Sequence, residues 1–174
     1  MDLSLPRRVE PELLDGLAAE DPRARRSRDD LRRIHRAMAT LPIVQRALDR
    51  GTAHSRPHSL IELGAGDGSL MLRLAQRRAT RWPDVRVTLL DRLNLVARET
   101  QDGLREVGWK PRVETMDVFD WLAAPDDTHW DVVFASLFMH HFSSPELVRL
   151  LRGIAARTRV FLCCEPKRSA LALA

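Results

Sequence analysis

Apolar positions along this chain change their spacing near residue 60. Before it they recur at helical intervals, with Leu31, Ile34, Met38 and Leu41 on one face and Ser27 and Asp30 as a capping pair ahead of them. Pro42 is expected to break or kink that helix, after which Ile43, Val44, Ala47 and Leu48 run to a stop at Gly51. Residues 52–59, with Pro57 and two histidines, read as a linker. From Leu60 onward, short apolar runs alternate with helical stretches. Strands are predicted at 60–63, 85–90, 112–116, 131–138 and 159–164, with a helix after the first, second and fourth and a turn-rich piece after the third. Trp82-Pro83-Asp84 ends the first of these helices and Gly108 the second, which carries Val96, Thr100, Leu104 and Val107 on one side. Ser144 and Pro145 open the last as cap and first-turn proline, with Leu147, Leu150, Leu151 and Ile154 as its buried face. This alternation predicts an α/β fold with a doubly wound, mainly parallel sheet covered on both faces. Ligands of such sheets bind beyond the carboxyl ends of the strands, where strand order reverses.

Composition narrows this picture only a little. A chain of 174 residues, 44% hydrophobic and 30% charged, is one domain's worth of soluble globular protein. No apolar run approaches the roughly 20 residues that span a bilayer, and the N-terminus lacks a hydrophobic signal core, so a cytoplasmic location is expected. The net charge of +4 is nearly all arginine. The densest basic stretch, Arg23, Arg25, Arg26, Arg28, Arg32, Arg33 and Arg36, can serve phosphates, but it lacks the interleaved aromatics of single-strand RNA recognition. A solvated outer face on a helix that packs over the ligand site as a lid is the preferred reading. Cys163 and Cys164 are adjacent on a strand, point to opposite faces, and read as buried small hydrophobes. No metal ligand set is recognised.

The chemistry gathers at the predicted strand ends. The first strand runs into Glu62-Leu63-Gly64-Ala65-Gly66-Asp67-Gly68, a turn in which glycine admits positive φ and lets a ligand press on the main chain. Taken alone it is equally a glycine-rich connector. The second strand ends at Asp91, roughly two dozen residues past the turn, where a carboxylate can accept from both hydroxyls of a ribose. The third ends at Asp117-Val118, where a carboxylate can accept from an adenine amine while Val118 or Leu93 covers the ring. Each aspartate alone reads as a turn residue; together they indicate a nucleoside site. A dinucleotide fingerprint needs a small third residue where this chain has Ser69, and its third glycine arrives one residue early.

The form acidic-x-G-x-G-x-G resembles the first motif of class I S-adenosylmethionine-dependent methyltransferases, and the order of elements follows that family from about residue 60 to 166. The fragments Phe138-Met139-His140-His141-Phe142, Arg168-Ser169 and Pro11-Glu12-Leu13-Leu14-Asp15 resemble a bacterial branch acting on small molecules. The resemblance implies a Rossmann-like domain over residues 55–174, preceded by a helical lid over 1–54. It implies S-adenosyl-L-methionine as cofactor and S-adenosyl-L-homocysteine as product. Glu62 falls near the methionine amino group, and Gly64, Ala65 and Gly66 against the methionine moiety. Asp91, with Arg92 beside it, falls at the ribose, Asp117 and Val118 at adenine, and Ala135 or Ser136 beside the sulfonium. His140 or His141, just past the fourth strand, is placed to take a proton from an acceptor, as is Glu165 at the end of the fifth. Alternatively one histidine caps the strand end while the other faces solvent, and Glu165 pairs with Lys167 or Arg168.

The expected activity is methylation of a small-molecule acceptor, oxygen before carbon or nitrogen. Methylation of RNA or protein, or cofactor binding without catalysis, remain alternatives. The family's sheet adds two further strands after the fifth, whereas this chain stops at Ala174. A C-terminally short sheet is therefore expected, its fifth strand an apolar edge through which two copies pair.

Overall fold

The computed structural model describes residues 21–23, 26, 40–125 and 128–165. The lid residues Leu31, Ile34 and Met38, all of the arginine stretch except Arg23 and Arg26, the segment 11–15, and residues 166–174 lie outside that range.

Five parallel strands form one sheet: β1 (Ser59–Leu63), β2 (Arg86–Asp91), β3 (Lys110–Thr115), β4 (Trp130–Ser136) and β5 (Thr158–Cys164), in the order β3-β2-β1-β4-β5. Strand order reverses between β1 and its neighbours β2 and β4, which puts the switch point at the turn after β1. The helices are α1 (Thr40–Gly51), α2 (Ser69–Arg78), α3 (Arg98–Glu106), α4 (Val118–Ala123) and α5 (Ser144–Ala155).

The two-residue period of the strands divides the core. Leu60, Leu89, Val132 and Phe134 face a cluster with Leu41, Val44, Leu48, Met71, Leu74, Trp82 and Trp109. Ile61, Leu63, Val133 and Ala135 face the other side, with Val118, Trp121, Leu150 and Ile154. All five residues of β1 are buried. Glu62 therefore sits among apolar side chains on the first face, between its register partners Leu89 and Phe134.

Several local expectations change. Pro42 lies two residues after the first described residue of α1, which continues past it to Gly51, while the stretch before it that Pro42 was expected to break or kink lies outside the described residues. Leu41, Val44 and Leu48 of α1 join the main core, and α1 contacts β5 and α2. The turn-rich piece after β3 is the short helix α4, capped by Asp117, whose side chain accepts from Phe119 N–H at 2.7 Å. The N-cap of α5 is Ser143, not Ser144, in a capping box with Glu146. Leu151 is exposed rather than buried.

β5 is an edge among the described residues, but its faces are not bare. α1 packs on one side, bringing Gly51 against Val160, and Phe161 packs into the second cluster. The expectation of an exposed apolar face is corrected accordingly. Cys163 is exposed and Cys164 half-buried, so neither is the fully buried hydrophobe expected above; they alternate about a half-covered edge strand.

Candidate functional site

The glycine turn holds positive φ at Gly64 (68°), Gly66 (55°) and Gly68 (71°). The first two are glycine for different reasons. A Cβ on Gly64 meets the Phe138 ring at 2.3 Å, so the ring packs directly on the backbone there. A Cβ on Gly66 meets nothing within 4 Å, so this part of the turn faces open space. Ala65, 9% exposed, donates its N–H to Leu90 O at 3.0 Å and binds the turn to β2.

Asp91 also holds the turn. Its Oδ2 accepts from Gly66 N–H at 2.8 Å and its Oδ1 from Leu93 N–H at 3.0 Å. Each carboxylate oxygen has a second lone pair, so the ribose role expected for Asp91 is compatible with its structural one. Arg92 beside it is exposed. Glu62 is 3% exposed and its Oε2 has no hydrogen-bond partner. Burial pushes its carboxyl well above the usual range, and the charges of Asp67 and Asp91 push the same way. Asp67, which sequence reasoning did not single out, accepts from Ser69 N–H at 3.0 Å and completes a group of three carboxylates around the turn.

The residues expected at adenine differ in exposure and in hydrogen bonding. Asp117 Oδ1 accepts from Phe119 N–H in the cap of α4, and Val118 is 4% exposed within the core. Leu93 and Met116, at the ends of β2 and β3, are the large apolar side chains left exposed there, at 38% and 37%. Sequence reasoning named Leu93 as cover for a ring and gave Met116 no such role; an apolar residue at a strand end is the only sequence signal of its exposure. At the end of β4, Ala135 is fully buried in the second cluster and offers no surface, whereas Ser136 is 7% exposed with no hydrogen bond to its Oγ.

Beyond Ser136 the chain turns sharply. Leu137 takes φ 50°, a left-handed conformation that costs a bulky residue about 1–3 kcal/mol. The turn brings Phe138 back over Gly64, with Phe142 packed edge-on against it at 5.0 Å between ring centres. Met139–His141 form one 3-10 turn. Glu165, at the end of β5, gathers this segment. Its Oε1 accepts from Phe138 N–H and Met139 N–H, both at 2.8 Å, and its Oε2 lies 2.8 Å from His140 Nδ1. The three residues expected to serve an acceptor thus lie together, since the His141 ring centre is 4.2 Å from that of His140. Burial pushes the Glu165 carboxyl up, but hydrogen bonds from His140, Met139 and Phe138 outweigh it and hold the group below the usual carboxylate range. The same neighbourhood disarms the thiol beside it: burial, Glu165 and Cys164 push Cys163 up to about 12.

Two cavities open at the opposite end of the sheet. One lies among Gly51, Thr52, His54, Asp131 and Arg159, and the other among Thr80, Pro83, Glu106 and Gly108. The first is a structural junction: Asp131 binds His58 N–H and Ser59 N–H, with Arg159 as ion-pair partner. The glycine turn, Asp91 and the Glu165–His140 pair lie at the carboxyl ends instead.

The solved structure of the plantazolicin methyltransferase BpumL in complex with SAH is similar to this chain, with a TM-score of 0.56 and 18% identity over 80% of this chain and 50% of that one. A DhpI-SAM-HEP complex is similar at a TM-score of 0.52 and 26% identity, over 78% of this chain and 56% of that one. The chain spans about half the length of these proteins. No curated protein sequence matches it. The family described as "Methyltransferase domain" matches residues 60–160, more than half of the chain and the whole run from β1 into β5. With its five-stranded parallel sheet and a glycine turn at the switch point, the chain belongs to the methyltransferase domain family and has the class I methyltransferase fold.

Proposed function

We propose that the protein binds S-adenosyl-L-methionine at the glycine turn and transfers its methyl group to an oxygen of a small-molecule acceptor. The observation that carries this reading is Glu62: a buried carboxyl with an unpartnered oxygen, flanked by the charges of Asp67 and Asp91. Such a group lowers its free energy by meeting a cation. The cofactor offers an ammonium and a sulfonium, whereas the pyrophosphate of a dinucleotide would bring further negative charge to three carboxylates. The rest of the turn fits as well, with open space over Gly66 for close backbone approach. Asp91 stands at the end of β2 for a ribose, and Leu93 and Met116 are exposed where a purine ring needs apolar cover. The similar BpumL and DhpI structures are complexes with SAH and with SAM, which supports the same cofactor here.

When bound, the cofactor supplies an activated methyl group, so that the acceptor oxygen's electron pair forms the new C–O bond while the C–S pair stays on sulfur as the thioether. The protein's share is to align the acceptor and to receive its proton. His140, His141 and Glu165, at the ends of β4 and β5, are the titratable groups next to the ring that covers Gly64. Incubation with methyl-tritiated S-adenosylmethionine and a panel of hydroxylated, amino and thiol acceptors tests the reading. Label transferred to a hydroxyl compound supports it; label found only on nitrogen or sulfur removes the O-methylation part.

A further inference from the structure

Five large apolar side chains are exposed among the described residues: Ile43, Leu93, Met116, Val148 and Leu151. Leu93 and Met116 stand just past β2 and β3, by the turn assigned to the cofactor. The other three flank a single feature, the outer edge of β5. We propose that this edge is the interface of a homodimer, in which β5 pairs antiparallel with β5 of a second copy. In it α5 packs on α5 over one face of the joined strands, and Ile43 of α1 closes the other face. The proposal goes beyond the cofactor reading and does not rest on it.

Helical geometry places the three side chains. On α5, Leu150 and Ile154 are buried against the sheet, in the cluster that holds Val133 and Ala135 of β4 and Phe161 of β5. Arg149 lies over the Phe119 ring at 4.4 Å, and a Cβ on Gly153 would meet Leu122 at 2.6 Å, so this flank faces α4. At about 100° per residue, Val148 and Leu151 fall on the opposite flank. Val118 and Trp121 of α4 share the cluster with Ile61 and Leu63 of β1, inward of α5, so that opposite flank looks out past β5. α1 repeats the arrangement on the second face. Its Gln45 and Asp49 bond Arg77 and Arg78 of α2, while Gly51 lies against Val160 of β5. Ile43, 45% exposed, stands on the flank away from α2.

β5 offers seven residues with no proline and one charged side chain, Arg159, and on its outer side it pairs with no strand among the described residues. Thr158 Oγ1 accepts Val160 N–H at 3.2 Å, which blunts the amino end of the strand alone. An edge of this kind pairs with another strand unless charge, proline or a bulge prevents it.

Spacing selects the occupant. Strands pair about 4.8 Å apart. A helix seated over the boundary of β4 and β5 then stands about 5 Å from a two-fold axis beside β5 and about 10 Å from its copy, at the upper end of the distances of packed helices. A single added strand would satisfy the β5 backbone and leave Val148, Leu151 and Ile43 in water. A second copy covers the edge and both helix flanks in one contact, and the two-fold axis sets each apolar patch against itself, as an isologous dimer requires. Antiparallel pairing puts the carboxyl end of one β5 beside the amino end of the other. The two glycine turns therefore lie at opposite ends of the joined sheet, and neither copy enters the other's site.

Sedimentation of the full chain across micromolar concentrations, with hydrogen exchange read at low and high concentration, tests the proposal. A dimer is expected, with β5 amides that exchange more slowly as concentration rises. Leu151→Arg and Ile43→Arg change exposed residues, and each should raise the dimer dissociation constant at least about tenfold with the far-UV circular dichroism unaltered. A monomer at every concentration overturns the proposal. So does a dimer indifferent to both substitutions, or one whose β5 amides exchange at the same rate throughout, since it joins through another surface. If a variant does not fold, the exchange of the wild-type amides decides alone. Absence of S-adenosylhomocysteine binding would refute the cofactor reading and leave the dimer standing, so the two failures are distinct.

Discussion

Asp91 Oδ2 accepts the backbone N–H of Gly66 at 2.8 Å, fastening the end of β2 to the middle of the turn after β1. One side chain therefore shapes the turn and places negative charge beside it. Asp91→Ala removes the acceptor for both Gly66 and Leu93. Calorimetry should show S-adenosylhomocysteine affinity lowered by about 1.5–3 kcal/mol, the range for hydrogen bonds to a charged group. Asp91→Asn retains one acceptor oxygen and should lose less. Unchanged affinity in a folded Asp91→Ala protein would leave Asp91 a turn residue alone.

The two leading glycines should respond differently to alanine. At Gly64 the new methyl meets the Phe138 ring as well as an unfavourable φ, so Gly64→Ala should lower thermal stability by more than the roughly 1–2 kcal/mol of left-handed strain. At Gly66 there is open space, so Gly66→Ala carries the strain alone, but its methyl stands where a ligand presses on the backbone. Denaturation and SAH titration of both variants check this. Equal stability losses would contradict the packing assigned to Phe138.

Glu62 gives a pH dependence of defined sign. Its folded-state value lies well above the ordinary 4.5, so between those two values the folded chain holds a proton that the unfolded chain has lost. Glu62 therefore makes stability fall as pH rises from about 4.5 through its raised value. Glu62→Gln removes that dependence, and its melting temperature should exceed the wild type's by a margin that widens with pH. The same substitution should weaken SAH binding and flatten its rise with pH, because the ligand ammonium draws the ionised carboxylate. A margin that narrows with pH would contradict the buried, unpartnered carboxyl.

The sheet and its turn were legible because their signals are local. Apolar runs of strand length, the spaced glycines and Asp91 all report on backbone needs within a few residues, and β1 ends at Leu63 as its sequence predicts. The helix α4 was not legible: six residues with one buried face look like a turn, and the Asp117 that caps it was assigned to a ligand. Leu151 follows helical spacing yet is exposed, since periodicity marks a face but not how far a neighbour covers it. The link between His140 and Glu165 was out of reach for the same reason. Each residue was picked out at its own strand end, but only the pairing of β4 with β5 brings them together.

Binding of S-adenosylhomocysteine set against NAD, by calorimetry on the full chain in parallel with Glu62→Gln, tests the central claim most directly. The account predicts a saturable S-adenosylhomocysteine isotherm, weakened by Glu62→Gln, and no comparable heat with NAD, whose pyrophosphate meets Glu62, Asp67 and Asp91. NAD bound more tightly than S-adenosylhomocysteine, or S-adenosylhomocysteine binding indifferent to Glu62, would contradict it.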